Sequence, residues 1–181
     1  NHIYRFNLEK KSVTKLLEAS SIKEAIATMH DGSILFSQVD KGTVSALGEQ
    51  SISNIPFIGL NGQYLKEFKL LNQFRFYPSF KNKQTLAFQR RNPTDLHPYL
   101  FSYQANTLRE HPVTAFLQQK KLFPLSAYDD DEGNLFIGTE NGLIWFKRQG
   151  GKYVWMNHFL QSEAISAICK GKEGGYWIAT L

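Results

Sequence analysis

The chain has 181 residues, 42% of them hydrophobic and 20% charged, which excludes a disordered tail and describes a soluble folded protein. Aromatics reach 14%, a composition suited to pleated, packed strands. The net charge of +5 comes from scattered bases, paired at Lys10-Lys11, Arg90-Arg91 and Lys120-Lys121 with acids between them, so no basic stripe for nucleic acid is present and a solvated, mildly basic surface is expected.

Read in order, residues 3–8 and 13–16 form a hairpin around Glu9-Lys10-Lys11-Ser12, with no strands before it. Strands are expected over 23–29, 33–39 and 43–47, the last two joined by Asp40-Lys41-Gly42. An Asn61-Gly62 turn follows between apolar stretches. Further strands are expected over 73–77, 85–89 and 99–104, with a polar loop over 90–96. A complete set of four comes next, over 125–128, 135–139, 144–147 and 152–157. Asn141-Gly142, a strong hairpin signal, joins the second and third of these. Two last strands, 165–169 and 176–180, stand without successors. Residues 20–28 and 112–120 carry enough Ala, Leu, Lys and Gln to be helical; both are taken as segments between repeats or as first strands, since periodicity does not arbitrate short runs.

Asp131-Glu132-Gly133-Asn134-Leu135-Phe136-Ile137-Gly138-Thr139 is echoed 41 residues later by Lys172-Glu173-Gly174-Gly175-Tyr176-Trp177-Ile178-Ala179-Thr180. Weaker relatives lie around Gly32 and Lys83, and the spacings from Gly32 through Lys83 and Gly133 to Gly174 are 51, 50 and 41. A repeat near this length, built of short strands, predicts an all-β chain of β-propeller blades, each of four antiparallel strands. The expected division of 1–181 is an outer half-blade (1–17), blades at about 22–72, 73–120 and 121–160, and an inner half-blade (161–181), about four blade units in all. Stacked blades cover each middle strand on both faces, which accounts for the unbroken apolar run Leu135-Phe136-Ile137. Phe136 and Trp177 are expected to fill matching positions between blades, and Gly138 and Ala179 to be small where a neighbour approaches.

The run from Asp131 to Leu143 resembles the two-component regulator propeller repeat: an acidic turn, Gly, Asn, an aliphatic residue, Trp, Ile, Gly, Thr, two variable residues, Gly and Leu. Phe136 stands where that family usually has Trp; Trp177 restores it, while Ala179 replaces Gly and Lys172 the acid. Ala164-Ile165-Ser166-Ala167-Ile168 is similar to the family's first strand. The resemblance is specific over 126–143 and 165–181, and over 1–121 the division rests on spacing. It implies the periplasmic sensor region of a sensor histidine kinase or hybrid two-component regulator of Bacteroidetes-type bacteria, and so a fragment of a larger propeller. An oligosaccharide ligand is implied by analogy, and the kinase modules would lie outside this chain.

Asp129, Asp131 and Glu140 occupy positions 1, 3 and 12 of a calcium-loop pattern, but Gly133 sits at position 5 and no flanking helices are expected, so the cluster reads as an acidic hairpin turn. The histidines His2, His30, His97, His111 and His158 show no metal-ligand spacing and are expected at the surface or rim. Cys169, the single cysteine, excludes an internal disulfide and reads as a small buried hydrophobe. Arg90, Arg91, Asp95 and His97 form a polar loop, read as solvated. No nucleophile elbow, phosphate loop or zinc-protease motif is present, and nothing singles out a carboxylate pair.

The sequence thus predicts a non-catalytic sensor segment with no catalytic, cofactor-binding or metal-binding residues, no cofactor and an unassigned ligand site. The open blade faces are expected to self-associate or to pack against the rest of a parent receptor. No run approaches the roughly 18 apolar residues of a spanning helix, so no membrane contact by this segment is expected. The chain opens without a signal-peptide pattern, so the export signal and anchor of an exported parent would lie elsewhere. The alternatives are a propeller-scaffold lyase or hydrolase acting on polysaccharide, and a self-contained four-bladed protein-binding propeller.

Overall fold

A computed structural model describes residues 2–18, 22–28, 34–38, 43–47, 52–54, 57–58, 74–79, 84–89, 98–104, 107–130 and 132–181. The Asn61-Gly62 turn and the polar loop carrying Arg90, Arg91, Asp95 and His97 lie outside the described residues, as does His30.

The described strands run as follows: β1 (His2–Asn7), β2 (Ser12–Glu18), β3 (Ile22–Thr28), β4 (Ile34–Gln38), β5 (Thr43–Leu47), β6 (Ile52–Asn54), β7 (Phe57–Ile58), β8 (Phe74–Ser79) and β9 (Gln84–Gln89). After β10 (Leu100–Gln104) and β11 (Thr107–Glu110) comes the helix α1 (Thr114–Lys120), followed by β12 (Pro124–Asp129), β13 (Asn134–Thr139), β14 (Gly142–Gln149), β15 (Lys152–Phe159), β16 (Ile165–Lys170) and β17 (Tyr176–Thr180). They form meandering antiparallel sheets: β3-β4-β5-β6, then β8-β9-β10-β11, then β12-β13-β14-β15. Two separate two-stranded sheets, β1-β2 and β16-β17, stand before and after them. The first strand of each unit meets the first strand of the next, β3 against β8, β8 against β12 and β12 against β16. These strands line the common inner edge.

Two local departures from the expected pattern have clear causes. The second sheet gains a fifth strand, because β7 joins the outer side of β11 in parallel through Leu108 opposite Phe57 and Arg109 opposite Ile58. Residues 114–120 form a helix between repeats: Thr114, Leu117 and Val113 are buried, and Lys121, with φ of +55°, ends the helix in the left-handed conformation. The N–H groups of Lys121 and Leu122 then return to the carbonyls of Gln118 and Leu117. Residues 22–28, equally helical in composition, are strand β3. Pairing across a sheet outweighs a propensity difference of tenths of a kcal/mol per residue.

Register makes the repeat physical. In the third sheet, Pro124 pairs with Thr139 and Asp129 with Leu135, with a bulge between Pro124 and Ser126. Exactly 41 residues on, Ile165 pairs with Thr180 and Lys170 with Tyr176, with the bulge between Ile165 and Ala167.

Alternation along β13 sorts the core into two layers. Leu135 and Ile137 face back and pack with Leu86, Phe88 and Leu100 of the second sheet and Leu117 of α1. Phe136 faces forward and packs with Leu143 and Ile165, flanked by Tyr128, Trp145, Ile168, Tyr176 and Ile178. All six residues of β13 are buried. Covering each large apolar side chain stabilises the fold by roughly 1.5–3 kcal/mol, so neighbouring sheets hold one another in place.

Candidate functional site

The densest polar arrangement lies where the third sheet meets the β16-β17 hairpin. Asp130, only 2% exposed, follows β12 and turns the chain toward β13. Its Oδ1 accepts the N–H groups of Glu132 at 2.8 Å and Asn134 at 2.7 Å. Its Oδ2 accepts the Asn134 side-chain amide at 2.6 Å and the hydroxyl of Tyr176. Asn134 in turn accepts the indole N–H of Trp145 at 3.1 Å. Gly133, with φ of +80°, supplies the left-handed turn residue that this geometry requires.

Burial pushes the Asp130 carboxyl up, but the hydrogen bonds from Asn134, Tyr176 and Glu132 outweigh it and hold the group below its ordinary value. The Tyr176 phenol is raised by its own burial and by its bond to Asp130. Aromatic rings enclose the pair: Phe136 lies 4.5 Å from Tyr176 and stacks on Trp145 at 6.2 Å, and Tyr128 meets Tyr176 edge-on. Above it, Glu132 pairs with Lys170 at 2.6 Å, which holds the lysine's proton more tightly than usual. Chemically this is a closed lock, with an ionised carboxylate saturated by donors and a phenol kept neutral.

The same boundary is pinned at its other end. Ser126 donates to the Ile165 carbonyl at 2.9 Å, and the Gly142 N–H donates to the Glu163 carbonyl at 2.7 Å. A Cβ on Gly138 would lie 2.1 Å from Ser126 Oγ and 2.7 Å from the Ile165 carbonyl oxygen, so the expected close approach is real. Ala179, its counterpart, is exposed. The boundary with the second sheet has its own polar pair. Thr114 donates to the Leu100 carbonyl at 2.7 Å and accepts the Leu100 N–H at 3.2 Å. His111, 2% exposed, accepts the Val113 N–H at 3.3 Å on Nδ1 and packs on Tyr153. Burial lowers its pKa to about 4.

Three expectations require correction. Trp177 is 73% exposed, whereas Phe136 is 7% exposed, because among the described residues the sheet that would cover the forward face of β17 is lacking. Cys169, paired across from Trp177, is exposed for the same reason. His111 is buried at a sheet boundary, not at the rim; its place beside the buried end of α1 was not legible without the helix. The calcium-loop pattern does not assemble: Asp129 closes β12, and Glu140 follows the opposite end of β13. Among the described residues no three His, Cys, Asp or Glu side chains gather as a metal site. The Asp130–Tyr176 lock itself was missed; the only signal was an aspartate three residues before the Gly of the better repeat. At the outer edge Trp155, half exposed, stacks on Phe116 of α1 at 6.3 Å.

No protein-family model matches the chain, and no curated protein sequence shows significant similarity. Solved structures do resemble it. Virginiamycin B lyase from Staphylococcus aureus superposes with a TM-score of 0.64 at 13% identity, over 98% of this chain and 56% of the lyase. The extracellular domain of a hybrid two-component system protein from B. thetaiotaomicron superposes with a TM-score of 0.60 at 17% identity, over 99% of this chain and 24% of that one. PorZ, a surface component of the type-IX secretion system of Porphyromonas gingivalis, gives 0.68 at 11% identity, over 94% of this chain and 27% of PorZ. The chain therefore spans about half the length of the lyase and about a quarter of the sensor domain. These likenesses establish the fold: an all-β run of β-propeller blades built of four antiparallel strands. No described helix is long and apolar enough to cross a membrane.

Proposed function

We propose that the chain is a non-catalytic sensor segment of an extracytoplasmic, periplasmic receptor in a two-component system, with histidine kinase modules elsewhere in the parent protein. The observation that carries this reading is the use made of polar groups. Each of the six buried polar side chains among the described residues (His111, Thr114, Ser126, Asp130, Asn134 and Thr139) makes a hydrogen bond within the chain. The bonds of Thr114, Ser126, Asp130 and Thr139 join separate elements, and that of His111 closes the turn before α1, as a scaffold requires. The likeness to a two-component extracellular domain and the repeat pattern around Phe136 support the same reading.

Its ligand is an oligosaccharide, and exposed aromatics such as Trp155 are the candidates to stack on a sugar ring. Signalling follows from differential binding: the ligand favours one arrangement of a paired receptor and shifts its population. A panel of oligosaccharides, screened by thermal shift and calorimetry, tests this. A binder present at 100 times its Kd should add about 2.7 kcal/mol of stability, without turnover. Catalytic breakdown of any polysaccharide, lactone or streptogramin by the chain alone would favour the enzyme reading, whose support is the shared fold of the lyase.

A further inference from the structure

Asparagine is a chemically labile side chain, and most labile before glycine, which lacks the Cβ that would shield its nitrogen from the neighbouring amide. Of the two Asn-Gly pairs in the chain, Asn61-Gly62 lies outside the described residues and Asn141-Gly142 closes the turn from β13 into β14. Asn141 is exposed, and Gly142 adopts φ of +105°.

Yet every backbone donor and acceptor of this pair is held. The Asn141 N–H donates to Thr139 Oγ1 at 3.1 Å, and the buried Thr139 hydroxyl donates in turn to the Gly142 carbonyl at 2.8 Å. His158 Nε2, on β15, lies 2.6 Å from the Asn141 carbonyl oxygen. A carbonyl only accepts, so the ring is the tautomer protonated at Nε2. The Gly142 N–H donates to the Glu163 carbonyl, in the connection to β16, at 2.7 Å. A Cβ on Gly142 would stand 2.6 Å from both His158 Nε2 and the Phe159 carbonyl oxygen, so the peptide is hemmed in on that side too.

We propose that Asn141 is a latent deamidation site, held closed by Thr139, His158 and the Glu163 carbonyl, and open to reaction only when this turn parts from its neighbours. The Gly142 nitrogen attacks Asn141 Cγ. A bond from that nitrogen to Cγ forms, the Cγ–Nδ2 bond breaks, and ammonia leaves with the proton that the Gly142 nitrogen gives up. Water then opens the cyclic imide at either carbonyl, giving aspartate from one and isoaspartate from the other. Attack requires the Gly142 nitrogen to release Glu163 and the Asn141–Gly142 peptide to rotate away from His158. The rate is therefore set by local opening, not by the exposure of the side chain. Isoaspartate adds a backbone atom to a two-residue turn, which displaces the register running from Thr139 opposite Gly142 to Asn134 opposite Lys147. The damage thus accumulates with the time that this end of the third sheet spends apart from the β15-β16 connection. This inference does not depend on the ligand or on the signalling role.

The test follows aspartate and isoaspartate at position 141 by peptide mapping, while the intact chain is incubated at mildly alkaline pH, folded or in urea. The unfolded chain should deamidate at Asn141 at least about tenfold faster than the folded one. Thr139→Val removes the bridging hydroxyl, and His158→Phe removes the donor to the Asn141 carbonyl. Each should raise the folded-state rate at least about threefold, with hydrogen exchange of the Gly142 amide rising in step. Exchange at the Ile137 amide, deeper in the same strand pair, should stay unchanged, which separates local opening from a general loss of stability. If Thr139→Val also loosens Ile137, His158→Phe decides. Equal rates in the folded and unfolded chain, no deamidation in urea, or a His158→Phe chain that deamidates no faster than wild type would each overturn the proposal.

Discussion

The Tyr176 hydroxyl donates to Asp130 across 46 residues of sequence, and so fastens the final strand to the turn that opens β13. Asp130 thereby serves two sheets at once: Oδ1 shapes its own turn, while Oδ2 serves Asn134 and the next unit. Forty-one residues on, the position of Asp130 is taken by Gly171 and that of Asn134 by Gly175, so the last repeat lacks both parts of the lock.

Removing the phenolic donor with Tyr176→Phe should cost about 1–2 kcal/mol, and Asp130→Ala more, at the upper end of about 1–3 kcal/mol per lost buried partner or beyond, because several donors then lose their acceptor. Denaturant unfolding at neutral pH measures both. The pH dependence has two separate limbs. The carboxyl is lowered in the fold, so its contribution is present above the ordinary value of 3.8 and is lost as pH falls below it. The phenol is raised, so its contribution is present below 10 and fades as pH rises above that. Equal slopes in wild type and Tyr176→Phe above pH 10 would contradict the lock.

His111 sets a different window. Its pKa falls from 6.5 to about 4 in the fold. The folded state resists the proton that the unfolded chain accepts, so stability is full above 6.5 and declines toward 4. The loss amounts to about 3 kcal/mol at its limit. His111→Gln should flatten the stability profile between these values while leaving the more acidic Asp130 limb unchanged.

At the inner edge, Gly138→Ala should destabilise by about 1–3 kcal/mol or more through overpacking. Adding Ser126→Ala should recover only part of this, since the Ile165 carbonyl oxygen still stands 2.7 Å from the new Cβ. Full rescue by the second substitution would show that the backbone moves aside.

Phe136 and Trp177 occupy equivalent positions and should respond differently. Phe136→Ala removes a buried ring and should cost about 3–5 kcal/mol. Trp177→Ala should change the unfolding free energy by no more than about 0.5 kcal/mol, because its ring is exposed. Denaturant unfolding of the two variants side by side separates the two effects.

Much of this fold was legible because the signal was local. Asn141-Gly142 marked the β13-β14 turn, and the apolar run at Leu135 marked a strand covered on both faces. The 41-residue offset marked equivalence, which the pairing of Pro124 with Thr139 and of Ile165 with Thr180 restates in hydrogen bonds. What sequence could not carry was long-range partnership. Nothing in the letters joins Asp130 to Tyr176, brings β7 beside β11, or tells that Phe136 is covered while Trp177 is not. Exposure belongs to the neighbour as much as to the residue.

The shared bulge has one more consequence, for insertion. Because the pairing frame recurs after 41 residues, the positions between Phe159 and Ile165 mark a seam at which whole units are exchangeable. Splicing a second copy of residues 121–161 into that seam would leave every existing pair in its frame and lengthen the arc by one sheet. An insert of 40 or 42 residues ending within the strands would instead turn each downstream side chain over to the opposite face. Growth of this molecule is therefore quantised at its inner edge, and any freedom in length is confined to the turns.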